Sequence, residues 1–322
     1  MRTFQSRGGG NHYRNASRGF PCPPPGPPGL VVHGMPIVQS RDVPMSPDFP
    51  PFSAVIARLR TAGCVYAEEE AALLLAAGFT AGQLAVAVER RSAGFPLEHI
   101  LGWAEFCGLR IAVEAGVFVP RRRTELLVRE AARILGVPLA AAEASVSTAS
   151  GAPAAAPVVV DLCCGSGAVG LALAKLVPGM ELHASDIDPA AVRCARRNVL
   201  PVGGTVHEGD LYSALPDQLR GRADILAVNA PYVPTQSIGC MPSEARVHEP
   251  RVSLDGGPDG LHIQRRVAGQ ARSWLRRGGH LLIETSRRQA RGTAAAMVRG
   301  GLAPRIVRSE ELDATVVVGH RP

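Results

Sequence analysis

The rhythm of apolar and polar positions changes near residue 158, and that change divides the chain. Upstream, apolar residues recur at helical spacing. AVIARLRTAG (54–63) puts Ile56 and Leu59 on one face, AEEEAALLLAAG (67–78) opens on acids and stops at Gly78, and AGQLAVAVERRSAG (81–94) follows. The run Glu68-Glu69-Glu70 reads as a solvated helix start, because adjacent helical positions face different ways. Two strand-like runs, 103–107 and 109–114, flank Gly108 as a hairpin. A helix is predicted over 124–135, with Thr124 as its cap.

From Val158 onward, short apolar runs alternate with helical stretches. Val158-Val159-Val160 is β-branched and reads as a buried strand; it ends at Asp161 and enters a glycine turn, after which 168–176 has helical spacing. Further strands are predicted over 181–188, 205–210, 223–229 and 280–285, with helices over 189–199, 259–276 and 286–299. That alternation marks a parallel sheet. The last two runs, 304–310 and 314–320, are joined by the short turn Glu311-Leu312-Asp313 and read as an antiparallel pair. The expected fold is therefore α/β: a Rossmann-like, mostly parallel seven-stranded sheet with a C-terminal antiparallel strand pair, plus a small N-terminal helical domain.

Composition changes this picture in few places. Residues 1–50 are Pro- and Gly-rich (PCPPPGPPGL over 21–30) and read as a disordered tail, and the Ala/Ser/Pro-biased stretch 138–157 reads as a flexible insertion. The domain boundaries follow: a tail over 1–50, a helical domain over 51–101, a hairpin connector over 102–120 and a catalytic domain over 121–322. The net charge of +7 invites a nucleic-acid reading. However, five Arg against two Asp in residues 1–50 put part of it in the tail, and Lys175 is the sole lysine, so arginine is the default cation here. No apolar run reaches the ~18 residues of a membrane span. Seven cysteines, without a C-x-x-C pair, argue against a zinc site or a disulfide framework and for a reducing cytoplasm.

The candidate chemistry lies at the carboxyl ends of the predicted strands, where open α/β sheets bind ligands. Gly165-x-Gly167-x-x-Gly170 matches a dinucleotide-type fingerprint, with Asp186 about 20 residues on, where a ribose-binding acid belongs. Asp161, just before the glycines, suits a cationic ligand, since a carboxylate there would repel a pyrophosphate. Asp210 is placed either to meet an adenine amino group or to cap a helix before Tyr212. At the fourth strand end stands Asn229-Ala230-Pro231-Tyr232. An Asn carbonyl and the backbone carbonyl of Ala230 can together hold both N–H groups of a planar amide or aromatic amine, and Tyr232 can cover its face. His248 and His262 read as a loop and a helix-surface histidine.

Asp161-Leu-Cys-Cys-Gly-Ser-Gly167, Asn229-Ala-Pro-Tyr232, His248-Glu-Pro-Arg251 and Leu254-Asp-Gly-Gly-Pro-Asp-Gly-Leu261 together resemble the HemK/PrmC family, as do PLEHILGWAEFCGLRI (96–111) and FVPRRRTELLV (118–128). The resemblance covers about residues 53–320. It implies a class I S-adenosylmethionine-dependent methyltransferase that modifies the side-chain amide of a glutamine in a peptide-chain release factor. It further implies a cofactor site of Asp161, Cys163, Gly165, Gly167, Asp186, Asp210 and Asn229, and an acceptor site of Asn229, Pro231, Tyr232, Arg121 and Glu125, with no metal. The helical domain would contact the release factor, the protein would be a monomer, and neither membrane nor nucleic acid would be a partner. Two departures stand out: Ala230 replaces the family's first proline, and Arg122-Arg123 replace a proline and an acid. The alternatives are a nucleic-acid amino-methyltransferase with the same tetrapeptide, a nicotinamide dehydrogenase, and a module that only binds.

Overall fold

The computed structural model describes residues 50–137 and 156–322. The tail expected over 1–50 and the insertion expected over 138–157 lie almost wholly outside those residues. Helices run over Phe52–Thr61 (α1), Ala67–Ala76 (α2) and Ala81–Ser92 (α3), followed by the short Leu97–Leu101 (α4). Val55 and Leu59 of α1, Leu74 of α2 and Leu84 of α3 bury one another in a cluster that contains no residue of the large sheet. A capping box starts α3: the Gln83 N–H donates to the Thr80 hydroxyl and the Thr80 N–H donates to the Gln83 side chain.

The acidic run at the head of α2 is not a uniformly solvated helix start. Glu69 faces solvent, but helix pitch carries Glu70 to the buried side, where it is 4% exposed. There it accepts two hydrogen bonds from the Arg91 guanidinium of α3, at 2.6 and 3.0 Å. It is a charge lock inside the helical bundle.

Trp103–Phe106 (β1) and Leu109–Ala112 (β2) form the expected hairpin, turning through Cys107 and Gly108, both at positive φ as a two-residue turn requires. The next helix, Glu125–Ile134 (α5), begins one residue after Thr124. Thr124 does not cap it: its backbone is already helical, and its hydroxyl serves another partner, described below.

The large sheet holds Val158–Leu162 (β3), Glu181–Asp186 (β4), Thr205–Glu208 (β5), Ala223–Val228 (β6), Leu275–Glu284 (β7), Ala303–Ser309 (β8) and Ala314–His320 (β9). Its order is β5-β4-β3-β6-β7-β9-β8. The first five strands in that order run parallel, while β9 is antiparallel to both β7 and β8. The intervening helices are Ala168–Leu176 (α6), Pro189–Val199 (α7), Ser243–His248 (α8), His262–Trp274 (α9) and Ala290–Arg299 (α10). β3 explains why its run reads as continuously apolar: Val159 packs into one core cluster with α5, α6 and α7, while Val158, Val160 and Leu162 pack into the other with α9 and α10.

Several boundaries moved, among them the start of the last helix, which begins at Ala290. β7 starts at Leu275, because Leu275 already pairs with Ala223 of β6, and the polar stretch through Gly278 and Gly279 forms an irregularity before pairing resumes at His280 and Ile225. α9 starts at His262, because Gly257 and Gly260 hold positive φ ahead of it. No helix of the described residues is long and apolar enough to cross a membrane.

Candidate active site

A cavity of about 310 Å³ opens at the carboxyl ends of β3, β4 and β6. One wall comes from a single β-α-β stretch. The Asp186 carboxylate at the end of β4 reaches back to the glycine bend, its Oδ2 accepting from the Gly165 N–H at 2.8 Å and its Oδ1 from the Asp188 N–H at 3.0 Å. Burial pushes the Asp186 carboxyl above its ordinary range, against the pull of those backbone donors. Asp161 lies deeper, 2% exposed, with Oδ2 accepting from the Gly170 N–H at 2.9 Å. Burial pushes its carboxyl up to about 7. Cys163 and Leu211 also border the cavity, at φ +57 and +52. Left-handed backbone at non-glycine residues costs about 1–3 kcal/mol and clusters at functional sites. Ile187, half exposed, offers an apolar surface on the same wall.

Asp210 borders the cavity too, and of its two sequence readings the cap does not hold: its side chain caps nothing. Instead its Oδ2 accepts from the Arg266 guanidinium at 2.5 Å. Gly167 lies between the cavity-lining residues Ser166 and Ala168 without itself lining the cavity, and a Cβ there would lie 2.8 Å from the Val199 side chain. Its φ of +75 and its missing side chain serve the packing of α6 on α7.

The other wall is assembled from distant segments. Asn229, at the end of β6, donates from Nδ2 to the Thr124 hydroxyl at 3.2 Å. That fixes the amide plane and leaves Oδ1 to accept. Ala230 and Pro231 follow on the cavity lining. The Tyr232 hydroxyl donates to Glu284 Oε1 at 3.3 Å, and burial beside that carboxylate holds the phenol far above its usual range. The backbone of the tetrapeptide is clamped by the 254–260 loop. The Val233 N–H donates to the Leu254 carbonyl at 3.0 Å, and the Gly256 N–H to the Val233 carbonyl at 2.9 Å. Gln289 Nε2 donates to the Tyr232 carbonyl at 2.8 Å, and a Cβ on Gly260 would lie 2.2 Å from that same oxygen. The glycines of the loop thus allow contact between two backbones.

Arg121 borders the cavity, and Glu125 does not. Glu125 points along its own helix to Arg129, at 3.4 Å, because the chain turns into α5 just before it. The sequence reading missed Glu249 and Glu284. Glu249 is buried, ion-paired with Arg121, and accepts from the Val119 N–H at 3.4 Å. It stood inside a segment that carried the resemblance, yet nothing local announces that a charged residue there will be buried. Glu284 ends an apolar strand and was read only as its terminus. His262 is exposed, as expected, but His248 ends α8 and its ring lies 4.3 Å from that of Phe95.

The methyltransferase small domain family matches residues 147–251. The chain is 36% identical to the release factor glutamine methyltransferase of Geobacter sulfurreducens over 73% of this chain and 76% of that one. It is 32% identical to the protein of the same name from Bradyrhizobium diazoefficiens, over 75% and 85%. It is also 37% identical, over 61% and 63%, to a 4-amino-L-phenylalanine/4-methylamino-L-phenylalanine methyltransferase of Streptomyces pristinaespiralis.

Proposed function

The chain belongs to the release factor glutamine methyltransferase family, and from that premise we propose that it methylates the side-chain amide nitrogen of a glutamine in a peptide-chain release factor, acting as a cytoplasmic monomer. The donor is S-adenosylmethionine, which supplies a methyl group activated by a positively charged sulfur. The glycine-bend wall fits that molecule. Asp186 has lone pairs left for two vicinal hydroxyls, Ile187 offers an apolar face for a heterocycle, and Asp161 is a buried acid that gains from a nearby cation. Asp210 contributes to the same wall while shared with Arg266.

An amide nitrogen is a poor nucleophile, because its lone pair is delocalised into the carbonyl. The acceptor wall helps by position. Asn229 Oδ1 and the Ala230 carbonyl accept the two amide N–H groups, which orients the nitrogen and concentrates electron density on it. Tyr232, its hydroxyl tied to Glu284, is held as a flat cover. The observation that carries this reading is the Asn229–Thr124 hydrogen bond, which sets Oδ1 as the acceptor in a cavity shared with Gly165 and Asp186.

Methyl-labelled S-adenosylmethionine, incubated with the protein and a peptide-chain release factor, tests it. The label is expected on one glutamine side chain, located by mass spectrometry. Label on DNA or ribosomal RNA offered in parallel, and none on the release factor, would overturn the proposal.

A further inference from the structure

The six-residue helix α8 touches both the helical bundle and the cavity wall, and no part of the function proposed above uses it. At its head, Glu244 Oε2 accepts from Arg91 Nη1 at 3.3 Å. Arg91 is only 11% exposed in its side chain and already holds Glu70 within the bundle, so Glu244 is latched to a residue that cannot swing away. At its tail, the His248 ring lies against Phe95, 4.3 Å between centroids, in the link between α3 and α4. The next residue is Glu249. Its side chain is 1% exposed, and its Oε1 takes both the Arg121 guanidinium and the Val119 N–H. Its other oxygen has no donor from the described residues. Arg121 is thereby held from one side by Glu249, while its guanidinium carbon lies 5.2 Å from the Phe118 ring centroid. A third of its side chain stays open, on the cavity.

We propose that α8 is a positioning strut: anchored to the helical bundle through Glu244 and His248, it holds Glu249 so that the exposed edge of Arg121 meets a backbone carbonyl of the protein substrate beside the acceptor glutamine. Arg121 is the contact, and Glu249 and Glu244 are positioning residues. A planar guanidinium presents N–H groups in a fixed fork, so a pinned arginine selects one peptide register where a loose one does not. The strut also ties substrate contact on the bundle to alignment in the cavity, through packed side chains only. The substrate half of this inference rests on the acceptor reading given above. The Glu249–Val119 half does not.

The experiment uses the whole protein with Glu249→Gln, with the remote Glu244→Gln, and with each in an Arg121→Gln background. With a release factor as substrate, Glu249→Gln is expected to lower kcat/KM by roughly 10- to 100-fold, mainly through KM. Glu244→Gln, at a pair of which only the Glu244 side is open to solvent, is expected to lower it by about two- to fivefold. The S-adenosylmethionine Kd, by calorimetry, stays within about twofold. In the Arg121→Gln background neither change lowers kcat/KM further, as sites acting through one another require. Hydrogen exchange is read on the same variants without substrate: the Val119 amide should exchange about tenfold faster in Glu249→Gln, and also faster in Glu244→Gln, while α3 amides are unchanged. Unchanged exchange at Val119 in either variant overturns the strut, as do additive losses with Arg121→Gln or a parallel rise in the cofactor Kd. If exchange responds but the unchanged protein methylates no release factor, the strut stands and the assignment of the protein substrate falls.

Discussion

The wall around Gly165 is drawn mostly from one continuous stretch of chain, with only Asp210 tied farther off, to Arg266 across 56 residues, and the wall around Asn229 is gathered from across the chain. On the first, Asp161 meets Gly170 nine residues away and Gly165 meets Asp186 across 21. On the second, Asn229 meets Thr124 across 105 residues, Tyr232 meets Glu284 across 52, and Arg121 meets Glu249 across 128. A local wall is fixed once its β-α-β unit has formed. A gathered wall is correct only when the whole sheet is assembled and the bundle is docked. Under the proposed function the same division matches the chemistry: the universal donor would be held by the local unit, and the particular acceptor by parts that can change independently. Of the departures from the family pattern, Ala230 and Arg123 line the cavity on the gathered wall, whereas Arg122 turns outward to Glu311.

Separating the walls by mutation gives the largest effects. Asn229→Ala removes an acceptor that orients the reacting nitrogen, and kcat is expected to fall by about 10²–10³-fold or more. The donor wall is untouched, so the S-adenosylmethionine Kd measured by calorimetry should stay within about twofold. An equal loss of cofactor affinity would mean that the two walls are one. Asp186→Ala is the reciprocal change. It removes hydrogen bonds to a charged group worth about 1.5–3 kcal/mol, so Kd should rise roughly 10- to 100-fold while kcat at saturation changes little. Unchanged Kd would remove Asp186 from the ligand.

The local wall also carries a pH dependence of its own. The Asp161 carboxyl is pushed up to about 7 by burial, from an ordinary value near 4. Between those values the folded protein binds more protons than the unfolded chain, so this group makes stability fall as pH rises through the window. A cationic ligand reverses the preference, because it favours the ionised carboxylate. Affinity for S-adenosylmethionine should therefore climb as pH rises from 6 to 8, by up to about tenfold in all and mostly below pH 7. Asp161→Asn should flatten both the melting-temperature and the Kd profiles. A Kd slope that survives in the variant would show that another group is responsible.

The local wall was legible in the sequence because spacing encodes it: β-branched run, glycine bend, helix, acid about 20 residues on. The antiparallel pair at the end of the sheet was legible for a similar reason, since a short turn allows nothing else. Gly167 is less legible, because a fingerprint glycine can serve helix packing as well as a ligand, its spacing is the same for both, and here it packs closely on α7. The partners in the gathered wall left no such trace. Glu249 and Glu70 look like ordinary surface acids, and only the tertiary fold brings arginines to them. Tyr232 could be placed at a strand end, but its tie to Glu284 could not be foreseen from two residues 52 positions apart.

Thr124 offers the smallest and most discriminating test of this difference. By local pattern it is a helix cap, and by structure it is a distant partner of Asn229. Thr124→Val keeps the branched shape and deletes the hydroxyl. A cap lost at α5 would cost about 1 kcal/mol of stability and leave the active amide in place. A lost partner for Asn229 lets that amide rotate, and the missing hydrogen bond, worth about 0.5–1.5 kcal/mol, should appear as a roughly two- to twelvefold drop in kcat. Thermal melting and steady-state kinetics on the same sample separate the two. A lower melting temperature with kcat intact would restore the capping role and leave the Asn229 orientation without its support; a lower kcat with the cofactor Kd unchanged would show that the acceptor wall depends on a contact spanning 105 residues.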